Sequence, residues 1–211
     1  MRYVDGVDAL HQPDMIILPG TKSTIADLKW LRQCGLEAAI LKAADAGTLV
    51  FGVCGGYQML GRNVSDPGQV EAAGITEILG MGLLEMNTVF VGEKVQTQTT
   101  GVFDGISGVL SGLNGKAYEG YEIHMGRSKE VMPALIGAGN VYGSYIHGVF
   151  DAPGISDTIL QAICTQKGID FAALETFDMG KYKERQYDLL ADAVRGGLDM
   201  DFVYRVLNRD L

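Results

Sequence analysis

The sequence predicts an α/β domain: a mostly parallel sheet flanked by helices, with an antiparallel section and a helical C-terminal tail. Three observations lead there. Short apolar runs alternate with segments of helical periodicity from the start of the chain. Between residues 82 and 143 polar and apolar residues alternate between glycine-containing turns. Beyond residue 151 only helical periodicity remains. Strand and helix in strict alternation imply parallel strands covered on both faces, and alternation of polarity along a strand implies a sheet with one wet face.

The first strand is predicted at residues 14–18, an apolar run stopped by Pro19-Gly20. Residues 21–33 follow with Ile25, Leu28 and Leu31 at helical spacing, and Gly35 marks a break. Residues 36–46 form a second, alanine-rich helix ended by Gly47. Residues 48–53 are the next strand, leading through Cys54 into a short helix that stops near Gly61. Strands are expected at residues 88–91, 94–103, 121–124 and 141–146, with a glycine-rich loop over 105–115. Helices are expected over 155–166, 183–194 and 200–207, with Gly196-Gly197 separating the last two.

The 211 residues suffice for one substantial domain, and with 47% hydrophobic and 20% charged residues a packed core is expected rather than disorder. A formal net charge of −9 argues against a nucleic-acid surface and against docking on anionic lipid. Three cysteines, Cys34, Cys54 and Cys164, make no disulfide framework, and with three histidines and no C-x-x-C pair no metal site is expected. The first residues carry no signal-peptide pattern and no apolar run is long enough for a membrane span, so a cytoplasmic protein without a membrane partner is expected.

The run Gly52-Val53-Cys54-Gly55-Gly56 is a G-x-C-x-G nucleophile elbow, a sharp strand-to-helix turn that presents a side chain at the carboxyl edge of a sheet. Helix amides beside the sulfur are expected to favour the thiolate. The competing reading is a buried structural cysteine beside a glycine loop. A cysteine nucleophile needs a base, and His147 and His124 both end strand-like segments, whereas His11 lies in a polar stretch that reads as surface. The amide of Gly55 and a second one from the Pro19-Gly20 turn are candidate oxyanion donors. Gln58, one helical turn after Cys54, is a candidate to hold a polar substrate group.

The segment Gly52-Val53-Cys54-Gly55-Gly56-Tyr57-Gln58-Met59-Leu60-Gly61 resembles the nucleophile motif of class I, triad-type glutamine amidotransferases, in the form found in cobyric acid synthases. Leu18-Pro19-Gly20-Thr21-Lys22-Ser23-Thr24-Ile25-Ala26-Asp27-Leu28 looks like that family's oxyanion-loop segment. Tyr121-Glu122-Ile123-His124-Met125-Gly126 and Tyr142-Gly143-Ser144-Tyr145-Ile146-His147-Gly148-Val149-Phe150-Asp151 are similar to its second signature and its catalytic-histidine segment. Tyr187-Asp188-Leu189-Leu190-Ala191-Asp192 to Leu198-Asp199-Met200 is similar to its C-terminal tail. The resemblance implies a flavodoxin-like sheet and a glutaminase spanning residues 1–211. Cys54 would be the nucleophile, His147 the base, Gly20 and Gly55 the oxyanion site, and Gln58 part of the glutamine site. It implies ammonia delivery to corrin carboxylates activated by ATP and magnesium in an N-terminal synthetase domain, and no cofactor in this domain.

Three departures qualify that expectation. The position two residues after His147 is Val149 rather than a glutamate, so a Cys-His pair is expected, with Glu122, His124 or Asp151 in support. No G-x-x-x-x-G-K-[ST] phosphate loop occurs, so the ATP-using half is expected to be missing and the chain to be a fragment. The family's domain also begins with a further strand and helix, so an open sheet edge, and self-association there, are expected. Rival readings are an amidotransferase subunit working with a Mur-ligase-like partner on a cell-wall lipid precursor, a cobyrinic acid a,c-diamide synthase, and a catalytically silent scaffold. A nucleotide-binding sheet is weaker still, because no phosphate-binding glycine loop follows the first strand.

Overall fold

The computed structural model describes residues 1–71, 74–128, 133–174 and 179–209, and the main chain only of Ala138. The chain divides into two compact units, Met1–Ala173 and Leu174–Leu211.

The first unit opens with a short helix, α1 (Val7–Leu10), followed by β1 (Met15–Leu18), α2 (Thr24–Gln33), α3 (Leu36–Asp45), β2 (Leu49–Val53) and α4 (Gly55–Leu60). Then come β3 (Asn63–Ser65), β4 (Glu77–Leu79), β5 (Asn87–Val102), β6 (Ala117–Arg127), β7 (Ile136–Ala138), β8 (Val141–Ser144) and α5 (Ile155–Lys167). Two four-stranded sheets result. One has the order β1-β2-β8-β7, with β1, β2 and β8 parallel and β7 antiparallel to β8. The other has the order β4-β3-β5-β6, dominated by the long antiparallel β5–β6 ribbon.

Strand β2 is the centre of the first sheet because both of its faces are apolar. Val50 packs with Leu28, Leu31, Leu36 and Ile40 of α2 and α3. Leu49 and Phe51 pack with Leu110, Leu113, Ile155 and Ile159 on the other face. A strand buried on both faces reads as an unbroken apolar run, which is what residues 49–51 are. Strand β1 is the edge of this sheet, and a cavity of about 1040 Å³ lies along it, lined by Ile17, Trp30, Leu36, Ile40 and Phe150 among others.

Register fixes where the site forms. Leu18 pairs with Gly52, and Val53 with Ser144, so the three parallel strands end together. Pro19-Gly20, Cys54 and the 145–147 segment leave from that one carboxyl edge, where open α/β sheets build their sites.

The structure departs from the sequence reading in a few places. α2 starts at Thr24 rather than residue 21, because the Thr21 hydroxyl bonds the Asp27 carboxylate and accepts from the Ser23 amide. The two strands expected at 88–91 and 94–103 are one strand, β5, whose register shifts between Phe90 and Val95: the glycine there marks a bulge, not a turn. The expected 105–115 loop contains a 3₁₀ segment, Gly108–Leu113, that buries Leu110 and Leu113. Strands β3, β4 and β7 were not anticipated; each has three residues, too few to show a period.

The second unit contains α6 (Met179–Gly197) and α7 (Met200–Asn208). Gly196-Gly197 does not end α6 early, as the sequence implied. The break falls after Gly197, where the Asp199 side chain accepts from the Phe202 amide and starts α7. Among the described residues no helix is long and apolar enough to cross a membrane.

Candidate active site

Cys54 sits in the turn between β2 and α4 with φ 50° and ψ −108°, a strained conformation for a non-glycine residue and the hallmark of an elbow. Two glycines make the turn possible by close approach rather than by special dihedrals. A β-carbon on Gly52 would lie 2.6 Å from the Tyr57 backbone, and one on Gly56 would collide with the Leu18 carbonyl oxygen. The elbow is tied to both neighbouring strands. The Cys54 amide donates to the Ser144 carbonyl at 2.8 Å, and the Gly56 amide to the Pro19 carbonyl at 3.2 Å.

Gly20 packs against both Cys54 and His147. A β-carbon on it would stand 2.9 Å from His147 Cε1 and 3.6 Å from Cys54 Cβ. Cys54, His147, Gly20 and Gly55 are thus gathered at the carboxyl edge of β1, β2 and β8. The Cys54 thiol donates to the Ile123 carbonyl at 3.6 Å, which brings the second sheet into the site.

The expectation of a resting thiolate is corrected. Burial pushes the Cys54 thiol up to about 11, and the Gly55 amide, which lowers it, only partly offsets this. The carboxylates of Glu122 and Glu71 raise it further. Burial is a tertiary property that no local stretch of sequence displays, whereas the helix amides follow from the turn itself. His147 moves the other way: burial, and then the neighbouring His124, hold its imidazole below the ordinary histidine range. At neutral pH the resting pair is a neutral thiol beside a neutral imidazole.

Gln58 is buried beneath the turn. Its Oε1 accepts from the Thr24 hydroxyl at 2.9 Å, and its Nε2 donates to the Tyr145 hydroxyl at 3.2 Å. The Tyr145 hydroxyl is 2.7 Å from the Ser128 hydroxyl, which is 2.8 Å from that of Thr88. Glu122 bonds His124 Nε2 at 3.1 Å rather than His147, and His124 Nδ1 lies 2.8 Å from the Gly126 carbonyl. The His124 ring stacks on Tyr145 with centroids 3.9 Å apart. The Asp151 amide donates to the Gly148 carbonyl in the turn after His147. His11 ends α1 as its cap and is exposed, as the sequence implied.

Two further residues enter the site that the sequence did not single out as site residues. Tyr121 stacks on His147. Glu71 receives the amides of Thr24 and Ile25 at 2.7 and 3.0 Å, capping α2 beside the oxyanion-loop segment. Both depend on contacts between segments far apart in the chain. Among the described residues no group of three or more His, Cys, Asp or Glu side chains could hold a metal ion.

Comparison with known proteins agrees with this geometry. Residues 1–155 match the family model of the CobB/CobQ-like glutamine amidotransferase domain. The chain is 50% identical to a cobyric acid synthase of Lachnoclostridium phytofermentans over 98% of its own length and 45% of that protein. It is 44% identical to a cobyric acid synthase of Ruminiclostridium cellulolyticum over 100% of its length and 44% of that protein. The chain therefore spans less than half the length of these curated relatives. Among solved structures it resembles a glutamine amidotransferase (TM-score 0.51, 19% identity, 79% of this chain and 85% of that one). It also resembles PurLQS from Thermotoga maritima (TM-score 0.55, 19% identity, 79% and 85%). At that identity these two likenesses establish an α/β fold of mixed sheets flanked by helices, and nothing finer. The elbow at Cys54, the histidine across Gly20 and the match over residues 1–155 agree: this chain belongs to the family of CobB/CobQ-like glutamine amidotransferase domains.

Proposed function

We propose that this chain is the glutaminase domain of a cobyric acid synthase. In this reading His147 takes the Cys54 proton as the sulfur attacks the side-chain amide of glutamine. The backbone amides of Gly20 and Gly55 hold the oxyanion, and two such donors lower the barrier by several kcal/mol, on the order of 10²–10³ in rate for each. His147 then gives its proton to the departing ammonia, and water releases glutamate from the thioester. Because thiol and imidazole both rest neutral, deprotonation accompanies attack rather than preceding it. Gln58 shapes the floor of the glutamine site. The parallel sheet is read as a flavodoxin-like core with the nucleophile after its central strand.

The observation that carries this reading is the meeting of Cys54 and His147 at Gly20, where a single added β-carbon would touch both side chains. The family membership and the cobyric acid synthase relatives support the acceptor: carboxylates of a corrin ring, activated with ATP and magnesium by a synthetase domain that works with this one. The test is glutamate release from glutamine by the chain, against Cys54→Ala and His147→Ala, with and without a cognate ATP-binding domain. Activity abolished by both substitutions supports the reading, and a silent wild type with the partner present overturns it.

A further inference from the structure

In a nucleophile-histidine-acid triad a carboxylate bonds one imidazole nitrogen and fixes the ring. Here the position two residues after His147 is Val149, an apolar and buried side chain. The buried Nε2 of His147 has no hydrogen-bond partner among the described residues. Glu122 is engaged by His124.

What does touch the ring is Tyr121. The two rings stack in parallel with an offset, centroids 5.1 Å apart and planes 6° apart. The same two residues form an isolated antiparallel bridge. The Tyr121 amide donates to the His147 carbonyl at 3.1 Å, and the His147 amide donates to the Tyr121 carbonyl at 2.8 Å. Gly120 makes this approach possible, since a β-carbon there would collide with the His147 carbonyl oxygen. Tyr121 is itself set by the β5–β6 ribbon, opposite Gln98. The loop carrying His147 is thereby clamped to a long, regular strand, and its ring is held through its face.

We propose that Tyr121 is the positioning residue for His147, holding the imidazole by stacking and by the backbone bridge in the role that a carboxylate fills in a triad. The inference rests on the glutaminase reading. A ring held through its face keeps its in-plane nitrogens for proton traffic, so one nitrogen takes the thiol proton and returns it to ammonia.

The test compares Tyr121→Phe with Tyr121→Leu in the full chain, reading glutaminase kinetics and the proton NMR shifts of the His147 ring. Phenylalanine keeps the stack, so kcat stays within about twofold. Leucine keeps the bridge but loses the stack, so kcat falls about tenfold or more while KM changes by less than about threefold. The ring-current shift of the His147 protons persists with phenylalanine and disappears with leucine. If leucine does not fold, Tyr121→Thr, a strand former, takes its place. An active wild type whose leucine variant keeps full kcat overturns the positioning role, as does an equal loss in the phenylalanine variant. A wild type that releases no glutamate even with the cognate ATP-binding domain present, while its His147 protons carry the ring-current shift, overturns the glutaminase reading instead.

Discussion

The Cys54 thiol donates to the carbonyl of Ile123 at 3.6 Å, so Cys54 rests as a protonated donor held by the second sheet. Burial supports the same state, with the thiol pushed up to about 11. Alkylation of Cys54 by iodoacetamide is therefore expected to keep accelerating about tenfold per pH unit from pH 7 to near 11, following thiolate fraction. A plateau at pH 7 to 8 would show a preformed thiolate and overturn this account. The exposed-thiol control is a free cysteine in an unfolded peptide.

The two titrations bear on stability with opposite signs. The folded chain holds the Cys54 proton more tightly than the unfolded chain, whose thiol titrates near 9.0. This contribution is fully present below pH 9 and is lost as pH rises toward about 11, by about 2–3 kcal/mol. His147 is depressed below 6.5, so its contribution is present above pH 6.5 and is lost as pH falls through the lower folded value. Denaturant titrations across pH should show Cys54→Ala flattening the alkaline limb and His147→Gln flattening the acid limb. Parallel wild-type and variant curves at either end would refute that assignment.

Gly20→Ala should disable the site without unfolding it. The new methyl group would stand 2.9 Å from His147 Cε1, closer than such contacts occur, and the imidazole must move. Glutamate release is expected to fall about tenfold or more, since a displacement of about 1 Å suffices for that. The thermal midpoint should move little, because Gly20 is exposed. A fully active variant would show that close packing of Gly20 against His147 is not needed for glutamate release.

Gln58 joins two elements through its buried amide, accepting from Thr24 of α2 and donating to Tyr145 beyond β8. Gln58→Leu keeps much of the volume but leaves the Thr24 hydroxyl without this acceptor, so a loss of about 1–3 kcal/mol is expected. Gln58→Glu is a sharper probe, because its carboxylate keeps the Thr24 bond and leaves Tyr145 without its donor. Urea unfolding of both variants measures the two halves of the bridge, and unchanged midpoints would mean that it contributes nothing.

What the sequence made legible was local. The elbow could be read because the glycines at 52, 55 and 56 flank a cysteine at the end of an apolar run, although the contact that requires Gly56 is with Leu18 of β1, far away in the chain. Strands β1 and β2 and helices α2, α3 and α5 could be read because each keeps one period throughout. The residues favoured His147 over His124 as the base, and the resemblance settled that expectation. The Ile123 carbonyl that accepts from Cys54, the Tyr121 stack on His147 and the Glu71 cap on α2 join segments far apart in the chain, and no window of neighbouring residues contains them. The state of Cys54 was misjudged for the same reason, because its burial comes from segments that meet only in the folded chain.

The open edge at β1 carries its own optical probe. Trp30, the single tryptophan in the chain, lines the cavity along that edge and is 44% exposed. Its emission therefore reports on this one place. A segment or molecule that covered the edge would shift the fluorescence to the blue and shield it from a soluble quencher, with no label attached. The lining also includes Gly20, so the cavity reaches from Trp30 to the turn beside Cys54. Occupancy of the β1 edge is thus readable in solution from one native residue.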